Sequence, residues 1–475
     1  MKLSVTITLR SLFAISVLGL IVGRVIVCAE PAASFPSFTE DGGWCWFADP
    51  RAVARDGRTC TGWVTENGSV QAAMLDDASG KITVTTLHEK YQRDDHDNPS
   101  FLFLPDGRLM AFYSKHGGPD MNARVTSKPG DFADWQPERV LDLFGTAARP
   151  RKTITYPNPV MLFAETNAIY LFWRGDSWKP TFSKSMDSGR SWSPAKVVVT
   201  RTGAGSDNRP YVKIASDGKE RIHMIFTDGH PRNESSNNVY YACYRNGAFY
   251  KANGTRIAGI AELPFTPEQA DCVYNAAVTG ARAWVFDVAA DKDGRPVIAY
   301  TRLAEETDHR YHYARWDGAK WTDRELCAGG KWFPQTKPGK TETETYYSGG
   351  LALDHDNPSV VYLSRPVGYS PPRVSGKPEE LSHGASPVNG VREIERWTTA
   401  DGGETWKSEA VTSGSKHDNI RPVVVRGHSG SGPTVLWESL SGHYVHYTDY
   451  RASIKMDRSH SPQRTSRSTK GSNYP

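Results

Sequence analysis

Helical periodicity is scarce in these 475 residues, which argues against a helical architecture. Long apolar sequence is lacking too. The one such run, Leu12 to Gly23, is too short to span a bilayer. It follows Lys2 and Arg10 and leads to Val27-Cys28-Ala29, the charged, apolar and small-residue order of an export signal. Residues 1–29 are therefore read as a signal peptide cleaved near Ala29, and the mature chain as secreted or periplasmic with no membrane association. Cys28 lacks a small residue just before it, which argues against a lipoprotein anchor. Cysteine is sparse. Five remain after the signal (Cys45, Cys60, Cys243, Cys272 and Cys327), an odd number that cannot all pair internally. One disulfide is open to an exported chain, with Cys45 and Cys60 the nearest candidates.

A charge excess of one sign is also missing. The formal net charge is +4. Residues 1–29 hold three cations and no acid, and the stretch from Arg451 holds six cations against Asp457, which leaves the body at −4. A basic field that would draw nucleic acid is absent, so any recognition of an anion must be local. The stretch 451–475, rich in Ser, Arg, Thr and Gly, reads as a disordered basic tail. Residues 30–450 are taken as one domain.

What is present is strand. Short runs of Val, Ile, Tyr, Phe and Trp recur between Gly, Asp, Asn and Pro, as in an all-β sandwich, barrel or propeller. Repeats select among these. Ser185-Met186-Asp187-Ser188-Gly189-Arg190-Ser191-Trp192 and Thr399-Ala400-Asp401-Gly402-Gly403-Glu404-Thr405-Trp406 share the form of an Asp-box, a hairpin turn in which the Asp caps backbone N–H groups and the Trp plugs between sheets. A second repeat is a hairpin with polar residues at its mouth. It begins at Asp94-Asp95-His96-Asp97-Asn98-Pro99, runs through the turn Pro105-Asp106-Gly107 and ends at His116-Gly117-Gly118. Counterparts start at Tyr156-Pro157-Asn158-Pro159 (ending at Arg174), Asp207-Asn208-Arg209-Pro210 (leading to His230), Tyr346-Tyr347-Ser348, and His417-Asp418-Asn419-Ile420-Arg421-Pro422. Their spacing suits a β-propeller of about seven blades, with six the alternative, and gathers the mouths at one end of a central channel.

The gathered groups are imidazole, phenol and guanidinium. That set matches β-elimination on a uronate polysaccharide. A cation paired to the uronate carboxylate lowers the cost of the enolate-like intermediate, and a His or Tyr takes the C5 proton. Tyr serves as a base only where cations lower its pKa, and Arg174 is placed to do so. Hydrolysis would need two carboxylates across the bond, or a Tyr nucleophile with an arginine cluster as in sialidases, for which Arg174, Arg209 and Arg421 are the available arginines. The carboxylates of the mouths sit in turn-like runs that suit backbone capping.

Gly43-Trp44-Cys45-Trp46-Phe47-Ala48-Asp49-Pro50-Arg51, Asp94 to Ser100, Lys115 to Gly118, Tyr156 to Pro159 and Asn246 to Tyr250 together resemble the BNR-repeat (BNR-4 type) propellers that include the ulvan lyases of polysaccharide lyase families 24 and 25. The resemblance implies a seven-bladed propeller that cleaves a sulfated rhamnose–uronate polysaccharide by β-elimination. It places catalysis on His96, His116, Tyr156 and Arg174; apart from the resemblance, Asn98, Arg209 and Tyr347 are candidates for binding substrate. On this reading His96 and Tyr156 transfer protons, while Arg174 and His116 neutralise the carboxylate. It also implies a structural zinc on His230, Cys243 and His417, an incomplete set because the further His expected near Cys243 is replaced by Tyr244-Arg245. No cofactor is required for catalysis, and a monomer acting on an anionic polysaccharide is expected. A sialidase-like glycoside hydrolase and a non-catalytic glycan-binding propeller are the alternatives.

Overall fold

The structure is a computed structural model that describes residues 35–145, 153–201, 209–337, 339–367 and 390–457. The signal segment 1–29, Asp207 and Asn208, and the stretch after 457 lie outside them.

Seven antiparallel sheets form the seven blades of a β-propeller. In blades 1 to 7 the first strands are Ala52–Arg55, Ser100–Phe103, Thr155–Leu162, Val212–Ser216, Arg282–Ala290, Leu351–Leu353 and Asn419–Val424. First strands of neighbouring blades pack on one another around the channel, and each blade adds its later strands outward in chain order. The ring is closed by the first and last of the described strands. Ser37–Gly42 pairs with Asp449–Met456 as the outer strand of blade 7. Arg451 to Met456 therefore belong to the last blade, not to a tail, because closure needs that strand as a partner.

The two faces of each blade are covered by the blades on either side, so alternate side chains of one strand serve two cores. In Ala168–Arg174 of blade 3, Tyr170 and Phe172 pack toward blade 4 while Ile169, Leu171 and Trp173 pack toward blade 2. This explains why the strand reads as a continuous apolar run. Both Asp-boxes turn between the third and fourth strands of their blades, 3 and 6. Asp187 Oδ1 accepts from the backbone N–H groups of Arg190 and Ser191 at 3.0 and 2.9 Å, and Asp401 Oδ1 accepts from Thr405 N–H at 2.9 Å. Trp192 meets Phe112 of blade 2 edge-on and Trp406 meets Tyr313 of blade 5.

The segment Gly43 to Asp49 runs into the channel as a plug. Trp44, Cys45, Trp46, Phe47 and Ala48 are at most 2% exposed. Its polar groups are met from around the ring: Cys45 N–H by Asn98 Oδ1 (3.0 Å), the Phe47 carbonyl by Asn158 Nδ2 (2.8 Å), the Trp46 carbonyl by Lys213, and Trp44 N–H by Glu438 Oε1 (2.6 Å). A buried backbone outside a sheet demands such partners. The five cysteines Cys45, Cys60, Cys243, Cys272 and Cys327 are all free thiols, so Cys45 and Cys60 form no disulfide. No helix among the described residues is long and apolar enough to cross a membrane.

Candidate active site

The turn before blade 2 tightens into a 3-10 turn, Asp95–Asp97, whose cap is Asp94, with Oδ1 accepting from His96 N–H at 3.0 Å. Past the second strand of the same hairpin, His116 N–H donates to Gln92 Oε1 at 3.1 Å, and Gly117, at φ +70°, donates to Thr155 Oγ1 at 2.7 Å. A side chain at Gly117 would strike Trp178. These anchors bring the two imidazoles face to face, 4.2 Å between centroids and 5° from parallel.

Asp94 binds both rings. Its Oδ1 lies 2.7 Å from His96 Nδ1 and its Oδ2 lies 3.0 Å from His116 Nδ1. A second carboxylate, Asp95 Oδ1, stands 2.9 Å from His96 Nδ1. The two histidines therefore differ in charge. Burial alone would strip the proton from His96, but Asp94, Cys45 and Asp95 together hold its pKa well above the usual range. Burial and the His96 charge push His116 down to about 4, with Arg174 adding to the effect and Asp94 opposing it. At neutral pH the pair is an imidazolium stacked on a neutral imidazole. The side chain of His116 is 23% exposed and that of His96 only 3%.

Tyr156 stands 5.4 Å from His96 and 6.5 Å from His116 by ring centroids. It precedes Pro157 at φ +64°, where the first strand of blade 3 bulges between Thr155 and Asn158. Such backbone strain persists only where surrounding structure enforces it. Its neighbour across the hairpin is Arg174, as expected from the repeat. The guanidinium lies 4.7 Å from the Tyr156 ring, 5.2 Å from Tyr211 and 4.6 Å from Trp178. Arg174 is 5% exposed, donates through Nη1 to the Tyr211 hydroxyl at 2.6 Å, and leaves Nε and Nη2 without a partner among the described residues. Burial pushes the Tyr156 phenol well above its ordinary pKa, and Arg174 offsets only part of that. Tyr156 therefore keeps its phenol proton at neutral pH, and the nearby cation does not turn it into the expected base.

The charge pattern also reverses the expected division of labour within the histidines. A neutral His116 cannot neutralise a carboxylate, and a protonated His96 cannot accept a proton. His116, with Nδ1 engaged by Asp94, keeps Nε2 as the acceptor.

Of the expected substrate-binding residues, Arg209 reaches the site, with Cζ 5.3 Å from the Trp178 ring. Asn98 does not. It is fully buried and holds the plug through Cys45 N–H. Tyr347 is 5% exposed and wedged edge-on against Trp46 and Trp284, each at 5.4 Å, as part of the channel core. Arg421 is spent inside the fold on Asp95, Glu438 and the Trp44 carbonyl, so Arg174, Arg209 and Arg421 form no sialidase-like arginine cluster.

The expected zinc ligands are dispersed. His230 packs 4.7 Å from Trp284 and its pKa falls to about 3 through burial and nearby arginines. Cys243 pairs with His223 four residue pairs down the blade 4 hairpin from Thr227 and Val239, the strand ends nearest His230; at ~3.4 Å per residue that is roughly 14 Å. His417 is exposed in the loop before blade 7. Groups of His, Cys, Asp and Glu with ligand atoms within 4.8 Å of one another occur among the described residues at Cys45-Asp95-His96, Asp94-His96-His116 and Asp354-Asp356-His428, none of which includes the expected three.

Four contributors escaped the sequence reading. Asp94 was legible only as a capping residue, and it both caps and bridges the imidazoles. Tyr211 follows Arg209-Pro210 in the blade 4 mouth, a position that the repeat marks. Trp178 ends the 3-10 turn Asp176–Trp178, and Tyr447, edge-on to His96 at 4.7 Å, sits in the hairpin turn between Val435–His446 and Asp449–Met456; no repeat singles either out.

A family model described as "BNR repeat-containing family member" matches residues 58–328. Among curated proteins, an ulvan lyase of Nonlabens ulvanivorans is 21% identical over 68% of this chain and 66% of its own length. An ulvan lyase of Alteromonas sp. (strain LOR) is 24% identical over 48% of this chain and 52% of its own. The chain thus spans about half to two thirds of the curated relatives it matches. A solved ulvan lyase of polysaccharide lyase family 25, bound to a GlcA–Rha3S glycan, shares the fold. Its TM-score is 0.64 at 14% identity, covering 89% of this chain and 95% of that one.

Proposed function

Because the chain belongs to the BNR repeat-containing family, and because its rim carries a stacked imidazolium–imidazole pair beside a buried guanidinium with unspent donors, we propose that it is a polysaccharide lyase that cleaves ulvan, or a closely similar sulfated uronate glycan, by β-elimination. The likeness to ulvan lyases supports the reading. The observation that carries it is Arg174, whose free Nε and Nη2 offer the fork that a carboxylate requires.

The uronate carboxylate pairs with Arg174, which makes the C5–H bond acidic. Nε2 of His116 takes the C5 proton, the released electron pair forms the C4–C5 double bond, and the C4–O4 bond breaks. The Tyr156 hydroxyl delivers a proton to O4. His96 keeps its positive charge beneath the developing enolate. A base with a pKa of about 4 is weak in the empty site, but an anionic substrate beside it raises that value toward the working range. Asp94 fixes the tautomer of His116 and joins the two rings. The chain works as a monomer outside the cytoplasm, without a required cofactor; its ring is closed within the one chain by the pairing of Ser37–Gly42 with Asp449–Met456.

Digestion of ulvan followed by ultraviolet absorbance tests the reading. An unsaturated uronate at each new non-reducing end is expected from the wild type, and His116→Ala is expected to lose about 10²–10⁴-fold of the rate. New ends that are saturated would replace the lyase with a hydrolase, and binding without new ends would leave a glycan-binding propeller.

A further inference from the structure

Blades 4 and 5 part at their hairpin-turn ends, opposite the mouths that hold the imidazoles, around a cavity of about 170 Å³. Four cations line it, Arg221, Arg245, Lys251 and Arg295, against the one lining carboxylate of Asp293, with Glu220 just outside the lining 3.3 Å from Arg221 Nε. This concentration of positive charge stands on a body, residues 30–457, whose net charge is −3. It is built rather than scattered. Arg221 lies across the Gly294 backbone, with Nη1 donating to its carbonyl at 3.4 Å, and a side chain at Gly294 would strike that guanidinium. Arg295 packs over Gly318 and is 3.9 Å from Asp293. Arg245 sits 5.4 Å over the Tyr250 ring, and Trp316 completes the wall. Beneath them His223, 1% exposed, bonds the Tyr241 hydroxyl through Nδ1 at 2.8 Å, while its Nε2 has no partner among the described residues.

Guanidinium forks fit sulfate and carboxylate oxygens, and aromatic faces carry sugar rings. The volume is below the ~300–1,000 Å³ of drug-sized pockets and suits one sugar unit with its anionic substituent. We propose that this groove is a second, non-catalytic binding site that grips the polysaccharide by a charged sugar unit while the imidazole face works on another stretch. The identity of the glycan rests on the lyase reading above; the anion-binding chemistry does not. Holding a polymer at a second point raises the local concentration of cleavable bonds without changing the chemical step.

The test compares full-length wild type, the double variant Arg245→Ala/Arg295→Ala, and Lys251→Glu as an independent charge reversal. Each is run by native electrophoresis through gels holding ulvan or desulfated ulvan, and assayed on ulvan and on a purified tetrasaccharide. Both groove variants are expected to lose about fivefold or more in affinity for the polymer, with kcat/KM on the tetrasaccharide and the thermal midpoint unchanged. Retardation that persists in desulfated gels assigns the grip to carboxylates, and its disappearance assigns it to sulfates. If both variants are retarded by ulvan as strongly as wild type, the groove is not a binding site. If wild type releases no unsaturated ends yet is retarded through the groove, the lyase reading fails and the groove stands.

Discussion

Arg174 in blade 3 and Arg421 in blade 7 are each at most 5% exposed, and each guanidinium lies on three aromatic rings. Arg174 faces Tyr156, Trp178 and Tyr211, and Arg421 faces Trp46, Phe333 and Tyr444. They part in their polar partners. Arg421 is 2.6 Å from Asp95 Oδ2 and 3.4 Å from Glu438 Oε2, and it also donates to the Trp44 carbonyl and the Tyr444 hydroxyl. Arg174 has the Tyr211 hydroxyl and no carboxylate within 4 Å among the described residues. Taking an ion out of water costs several kcal/mol, and only good pairing returns it. The fold recovers that cost at Arg421 and leaves it standing at Arg174. One arginine joins the plug to the ring; the other has no anion as partner among the described residues and is held open for one.

The largest expected effect falls on the joining arginine. Arg421→Met leaves Asp95 and Glu438 buried without their cation, and the denaturant midpoint should report a loss of about 3–5 kcal/mol. Arg174→Gln removes a charge that has no carboxylate to abandon, so its midpoint should stay at or above that of wild type. Its kcat/KM on ulvan should fall by about 10²–10³-fold, the scale of losing one preorganised electrostatic contact. The comparison breaks if Arg174→Gln unfolds as readily as Arg421→Met while the folded fraction keeps full activity.

That contrast was only half legible in the sequence. Tyr156-Pro157 and Arg421-Pro422 occupy the same point of the repeat, and both keep the pre-proline residue in the left-handed region, at φ +64° and +49°. Repeats show where each hairpin mouth opens, which is why the propeller, the meeting of the two histidines at one hairpin edge and the pairing of Tyr156 with Arg174 could be anticipated. They do not show which mouths are covered. Cover comes from Gly43 to Asp49, an aperiodic aromatic run that fills the channel, buries Arg421 and Tyr347, and engages Asn98. Burial in turn sets the charges, and so the proton roles of His96, His116 and Tyr156 could not be read from residue types. The trio His230, Cys243 and His417 failed for a related reason. The resemblance supplied positions and not strand direction, and Cys243 lies four residue pairs down its hairpin from the strand ends nearest His230.

The smallest effect is a shift in pH dependence, and it sharpens the same contrast. His116 must be neutral to accept the C5 proton, and its pKa in the empty site is about 4. Activity on ulvan should therefore rise as pH increases through the acid limb set by His116, tenfold per unit below it at most, hold while His96 stays protonated, and fall once His96 loses its proton at alkaline pH. Arg174 is one of the charges that depress His116, after burial and His96. Removing it makes protonation of His116 easier, so the pKa rises. The residual activity of Arg174→Gln should then show its acid limb displaced to higher pH. Profiles of kcat/KM across the acid range for wild type and Arg174→Gln measure this directly. A limb that moves to lower pH, or does not move at all, would mean that the Arg174 charge is not felt at His116, and the guanidinium could then be assigned to substrate binding without any part in tuning the base.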